Sequence, residues 1–106
     1  MKQNEYSRRF FELRQELGKI GMFCTGSVMT VSQKCGRPDC ACVRDPAALH
    51  GPYNRWTRKV AMKTVTRGLT AIQAELCKEC ILNYRKLEEI LEEMKNQAAL
   101  YIESQR

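Results

Sequence analysis

Cys35, Cys40, Cys42 and His50 fall within sixteen positions of a 106-residue chain, in the pattern C-x4-C-x-C-x7-H, and His50 is the chain's one histidine. Thiolate sulfur and imidazole nitrogen are the donors that Zn²⁺ prefers, and four of them suffice for a closed tetrahedral shell. Gly36 and Pro38 give the first interval the chemistry of a tight turn, because glycine accepts a positive φ and proline pre-sets its own. The cluster therefore reads as a loop that wraps one Zn²⁺ ion. Cys40 and Cys42 are too close in sequence for an easy disulfide. A plant-type iron–sulfur spacing, C-x4-C-x2-C, is missed by one residue. A lone histidine is more often a structural hydrogen-bonding residue than a ligand, and the three nearby thiols are what make His50 a candidate. If it is not the fourth ligand, Asp39, Asp45, Cys24 or a water completes the shell.

A metal loop must be held by something, and the flanking sequence offers strands. SVMTVSQ (27–33) is rich in β-branched residues, YNRWTRKV (53–60) mixes aromatic and basic residues, and KTVTRGL (63–69) follows a two-residue link at Ala61 and Met62. These predict a hairpin from the two later pieces, with 27–33 as a third antiparallel strand. The link lacks the Asn-Gly or Asp-Gly signal of a tight hairpin, so the pattern alone leaves its register open.

Helices are predicted on either side. Over residues 1–20, Tyr6, Phe10, Leu13 and Leu17 recur at helical spacing, Asn4 is placed as an N-cap and Gly18 as a stop. Over 70–104, Thr70 and Gln73 form a capping-box pattern, and neither glycine nor proline follows from Ala71 onward. Cys77, Cys80, Tyr84, Leu87, Leu91, Met94, Ala98 and Tyr101 repeat at alternating spacings of three and four, a heptad seam suited near its start to the N-terminal helix or the sheet and, in its far half, to a coiled coil with a second copy. Cys77 and Cys80 lie on that seam, where cysteine acts as a small hydrophobe. The expected fold class is α+β in a single domain, 1–106: a helix (1–20), a small three-stranded antiparallel sheet with a zinc-knuckle-like loop (26–69), and a long C-terminal helix (70–104).

Charge adds a functional lead. The net charge is +6, but residues 34–68 hold eight basic residues against two acidic ones, an excess as large as that of the whole chain. Lys34, Arg37, Arg44, Arg55, Arg58, Lys59, Lys63 and Arg67 make up this set, with Tyr53 and Trp56 interleaved. Cations concentrated in one segment suit a polyanion, and an aromatic such as Trp56 would stack on a base. The expected partner is nucleic acid, DNA before RNA. The bland reading puts Trp56 in the core and leaves the face of Tyr53, Arg55, Thr57 and Lys59 merely wet. Arg8, Arg9 and Arg14 read as a solvated face or as further phosphate contacts. The apolar share of 43% and charged share of 28% are those of a folding chain. No apolar run reaches the ~20 residues needed to span a bilayer and no leader pattern opens the chain, so a cytoplasmic, membrane-free protein is expected. No carboxylate pair, nucleophile elbow or phosphate-cradling glycine loop accompanies His50 and the thiols, and the sequence points away from an enzyme.

The ordered run C-G-R-P-D-C-A-C (35–42), H-G-P-Y (50–53), a basic hairpin (55–67) and N-Y-R (83–85) resembles a family of short uncharacterised bacterial proteins with a C-G-x-x-x-C-x-C and H-G-P-Y signature. The resemblance covers roughly residues 26–95. It implies a metal-binding accessory factor of a mobile element, often encoded beside transposase or recombinase genes, with a recombinase or transposase as a partner that the C-terminal helix would dock. An adaptor of that kind, without nucleic acid, is the alternative function. The chain departs from the family pattern at the hairpin turn, where VAMK replaces a glycine-containing turn.

Overall fold

The computed structural model describes residues 4–105. The elements run α1 (Glu5–Leu17), β1 (Ser27–Gln33), two short 3-10 turns (Ala41–Val43 and Pro46–Ala48), β2 (His50–Val60), β3 (Lys63–Leu69) and α2 (Ala71–Ser104). This is the expected α+β order. Residues 1–3 of the expected first helix lie outside the described residues. The chain divides into two compact units: one comprises the chain up to Cys24 together with Cys80 onward, the other Thr25–Glu79.

In the first unit α1 lies antiparallel to the distal part of α2. Asn4 starts α1, its side chain accepting from the backbone N–H groups of Tyr6 and Ser7 while Ser7 Oγ accepts from the Asn4 N–H, a reciprocal capping box. Gly18 ends the helix with φ −67°, so its place there requires no left-handed backbone. Asn4 Nδ2 donates to Ser104 Oγ at 2.8 Å, and at the other end Asn83 Nδ2 donates to the Met22 carbonyl at 2.9 Å. Between these ties Leu13 and Met94 are buried, burial worth about 1.5–3 kcal/mol for each side chain. Arg9, from the face read as solvated, reaches Glu12, Glu16 and Glu93 at 3.3, 3.8 and 3.1 Å. Of the seam positions in this unit, Cys80, Tyr84, Leu87, Ala98 and Tyr101 are half-buried and Met94 is buried, while Leu91 is exposed. Phe23 packs on Tyr84 with ring centroids 5.9 Å apart. Much of the seam is thus covered from within the chain.

The second unit holds an antiparallel sheet of order β1-β2-β3. β1 pairs with β2 from Ser27↔Thr57 to Val31↔Tyr53 and, after a register shift, Gln33↔His50. β2 and β3 pair from Asn54↔Leu69 to Val60↔Lys63. Ala61 and Met62 form the link with φ of 50° and 69°, the two positive values that a two-residue hairpin of the mirror-image type demands. The turn forms here without glycine or asparagine. Thr70 and Gln73 then cap α2 reciprocally, at 2.9 and 3.1 Å. No residue of the three strands is fully buried. The buried residues of this unit are Cys42, Ala74 and Cys77. A unit of roughly 55 residues with so thin a core is in the size range where a metal or other staple supplies the missing stability.

Candidate metal centre

Sheet pairing, rather than sequence proximity, assembles the four soft donors. Because Gln33 sits opposite His50, the loop between β1 and β2 is closed at its base, and Cys35 emerges two residues beyond that pair. β2 begins at His50, three residues earlier than the aromatic-basic pattern indicates, so the imidazole is carried on a strand end and not on the loop. Cys40 precedes the turn Ala41–Val43, whose middle residue is Cys42; one tight turn aims both thiols at the same point. Asp45 caps the second turn by accepting from the Ala47 N–H at 3.0 Å, with Pro46 at its first position.

Two glycines make this geometry accessible. Gly36 has φ +87°, the left-handed conformation expected of it in the turn. Gly51 has φ +123°, and a Cβ there would meet the Val31 carbonyl oxygen at 2.9 Å and Tyr53 N at 3.1 Å, so the backbone beside His50 approaches β1 too closely for any side chain. The Gly51–Pro52 peptide bond is cis.

The ligand atoms of Cys35, Cys40, Cys42 and His50 all lie within 4.8 Å of one another. Cys40 Sγ is 3.3 Å from His50 Nε2, and Cys42 Sγ is 3.7 Å from Cys35 Sγ. A tetrahedron with Zn–S bonds of ~2.3 Å has edges of about 3.8 Å, so these separations suit an ion of that size. The cluster can hold a metal ion. Asp39, one of the alternatives to His50, lines the same cleft with Cys35, Arg37, Cys40 and His50. Neither it nor Asp45 nor Cys24 belongs to the convergent set. Cys42 is 1% exposed and Cys35 is exposed, so the site has a buried side and an open one.

The thiols are tuned apart. Hydrogen bonding from the Cys42 backbone, and then from the Cys42 and Cys35 side chains, pulls the Cys40 thiol below its ordinary value. For Cys42 the Cys35 backbone N–H, 3.4 Å from its sulfur, acts downward, but burial and the neighbouring Cys40 and Cys35 thiols outweigh it and the group lies above its ordinary value.

The eight basic residues around this centre do not form one patch. Lys34, Arg37 and Arg44 are exposed on the loop. The strand register sets Arg55 and Lys59 on one sheet face with Met29, Tyr53, Thr57, Thr64 and Thr66, and Trp56, Arg58, Lys63 and Arg67 on the other with Val60 and Val65. Arg55 donates to Gln33 Oε1 and Lys59 to Thr64 Oγ1, both at 2.8 Å. Among the described residues none of the eight forms an ion pair: the five salt bridges involve Arg9, Lys78 and Lys95 alone as cations. Trp56 is half-buried, its Nε1 donating to the Thr25 carbonyl at 2.9 Å and one ring face covered by Arg58. Tyr53 is exposed. Sequence reading did not find the Arg58–Trp56 stack, although their i, i+2 spacing on a strand put both on one face.

The family described as Domain of unknown function (DUF6788) matches residues 3–76. The chain belongs to that family. The DUF6788 match contains all four soft donors and all eight central cations, and ends within the first turns of α2, so the N-Y-R element at 83–85 lies beyond it. No curated protein and no solved structure matches the chain.

Among the described residues no helix is long and apolar enough to cross a membrane.

Proposed function

We propose that this protein is a small nucleic-acid-binding module, for DNA in the first instance, in which Zn²⁺ held by Cys35, Cys40, Cys42 and His50 fixes the loop that presents part of the contact surface. The role of the ion is structural: a set of three thiolates and one imidazole fills a tetrahedral shell and leaves no position for a substrate. The observation that carries the polyanion reading is the set of eight cations in residues 34–68 with no ion-pair partner among the described residues. Such a concentration of like charge opposes folding by self-repulsion and is relieved when phosphates neutralise it and release their counterions. The thin core of the Thr25–Glu79 unit supports the staple.

Two measurements on one preparation test this. Elemental analysis of protein purified without added metal is expected to give about one zinc per chain, lost in Cys40→Ser and in His50→Ala. Binding to a labelled DNA is expected to weaken steeply with salt; about five phosphate contacts predict a roughly 500-fold loss of affinity between 50 and 200 mM. A well-folded metal-free wild type sinks the zinc assignment, and DNA affinity that is absent at 50 mM salt sinks the nucleic-acid assignment.

A further inference from the structure

The sheet has a part that β1 does not cover. Pairing of β1 with β2 stops at Ser27↔Thr57, while β2 and β3 continue through Arg58↔Val65, Lys59↔Thr64 and Val60↔Lys63 to the turn at Ala61 and Met62. Three strand pairs and a turn therefore project as a two-stranded ribbon about 10 Å long, at ~3.4 Å per residue.

Three features of this ribbon are unusual together. Met62 at its tip is 95% exposed, and Val60 beside it 45%. Ala61 and Met62 hold φ of 50° and 69°, a left-handed region that side chains with a Cβ oppose and that glycine or asparagine would occupy without strain. The ribbon's exposed cations are divided between its faces, Lys59 on one and Lys63 on the other beside Arg58, whose guanidinium lies on the Trp56 ring, with no acidic residue among them. In the isolated chain the methionine gains nothing from its position, and strain held at one site points to a use for it.

Resting on the nucleic-acid reading above, we propose that the β2–β3 ribbon enters a groove of duplex DNA and that Met62 is an apolar wedge against a base step. A groove has a phosphate wall on each side, so Lys59 and Lys63, on opposite faces of an inserted ribbon, are both used; a single strand offers one phosphate row and leaves one face idle. Grooves are about 7.5–8.5 Å deep, within the ribbon's reach. Apolar side chains delivered this way unstack and kink the duplex, most readily at flexible pyrimidine–purine steps.

The test is fluorescence energy transfer between the ends of a labelled ~20-bp duplex containing TA steps, with the metal-loaded protein at saturation. Wild type raises the transfer as the duplex bends. Met62→Gly keeps every cation and relaxes the turn, so it binds within about threefold of wild type and loses the rise. Lys59→Ala combined with Lys63→Ala lowers affinity at least tenfold and flattens the salt dependence. A wild type that binds without bending the duplex, a Met62→Gly variant that bends it as well as wild type, or tighter binding to the single strand of the same sequence overturns the wedge and leaves the nucleic-acid reading standing. No binding to either form at 50 mM salt removes both.

Discussion

Arg58 lays its guanidinium 3.9 Å from the centroid of the Trp56 ring, two positions earlier on the same strand and the same sheet face. With Nε1 committed to the Thr25 carbonyl, the indole has its polar tip and one face already engaged. The contact is one that a planar, weakly hydrated guanidinium makes better than an ammonium does. Arg58→Ala is therefore expected to cost about 0.5–1 kcal/mol in chemical denaturation and to shift tryptophan emission to the red. Trp56 is the sole tryptophan, so the emission reports its surroundings alone. An unchanged midpoint and spectrum would mean that the stack contributes nothing in solution.

Removing the proposed metal tests how much of the second unit depends on it. Its buried residues are Cys42, Ala74 and Cys77, and Cys42 is itself one of the four candidate ligands. Chelation is expected to raise amide hydrogen exchange across residues 35–49 at least tenfold, while the capped helix α1, whose hydrogen bonds do not involve the loop, retains its protection. Equal protection with and without chelator would show that the loop holds its shape unaided.

Gly51 connects the sheet to His50, the candidate ligand that precedes it. With φ +123° and the Val31 carbonyl oxygen 2.9 Å from where a Cβ would stand, Gly51→Ala forces β2 away from β1 next to His50. Metal affinity is expected to fall about 10–100-fold, as when groups that support metal ligands are altered, with the effect read by competition against a chromophoric chelator. Gly36→Ala, where the Cβ meets open space, strains only the local backbone and is expected to lose less. Equal affinities for the two variants would argue that His50 placement is independent of the strand register.

Local features of this chain were legible in its sequence because their causes are local. Asn4 and the Thr70–Gln73 pair mark helix starts through hydrogen bonds spanning three residues, and the β-branched and aromatic runs marked the strands. The four soft donors were visible as a cluster, but what brings His50 to the thiols is the pairing Gln33↔His50 and the register shift beside it, a long-range relationship with no local signature. The division of cations between two faces followed the same rule: alternation placed Arg55 and Lys59 against Arg58, while Lys63 and Arg67 could be assigned only once the register across the Ala61–Met62 turn was known.

That turn is where local preference and the fold disagree most. Left-handed backbone costs an L-residue roughly 1–2 kcal/mol, and both Ala61 and Met62 adopt it. The double substitution Ala61→Asn with Met62→Gly supplies the asparagine and glycine that such a turn favours. Part of the gain is offset by the added freedom of glycine in the unfolded chain, about 0.4–1 kcal/mol. A net stabilisation of about 1 kcal/mol is expected, as a higher denaturation midpoint with an unchanged slope, because the exposed Met62 side chain has no packing to lose. A lower midpoint would show that the methionine contributes to the fold. A higher one would show that the chain keeps a destabilising turn, which is the behaviour expected of a residue retained for contact with a partner.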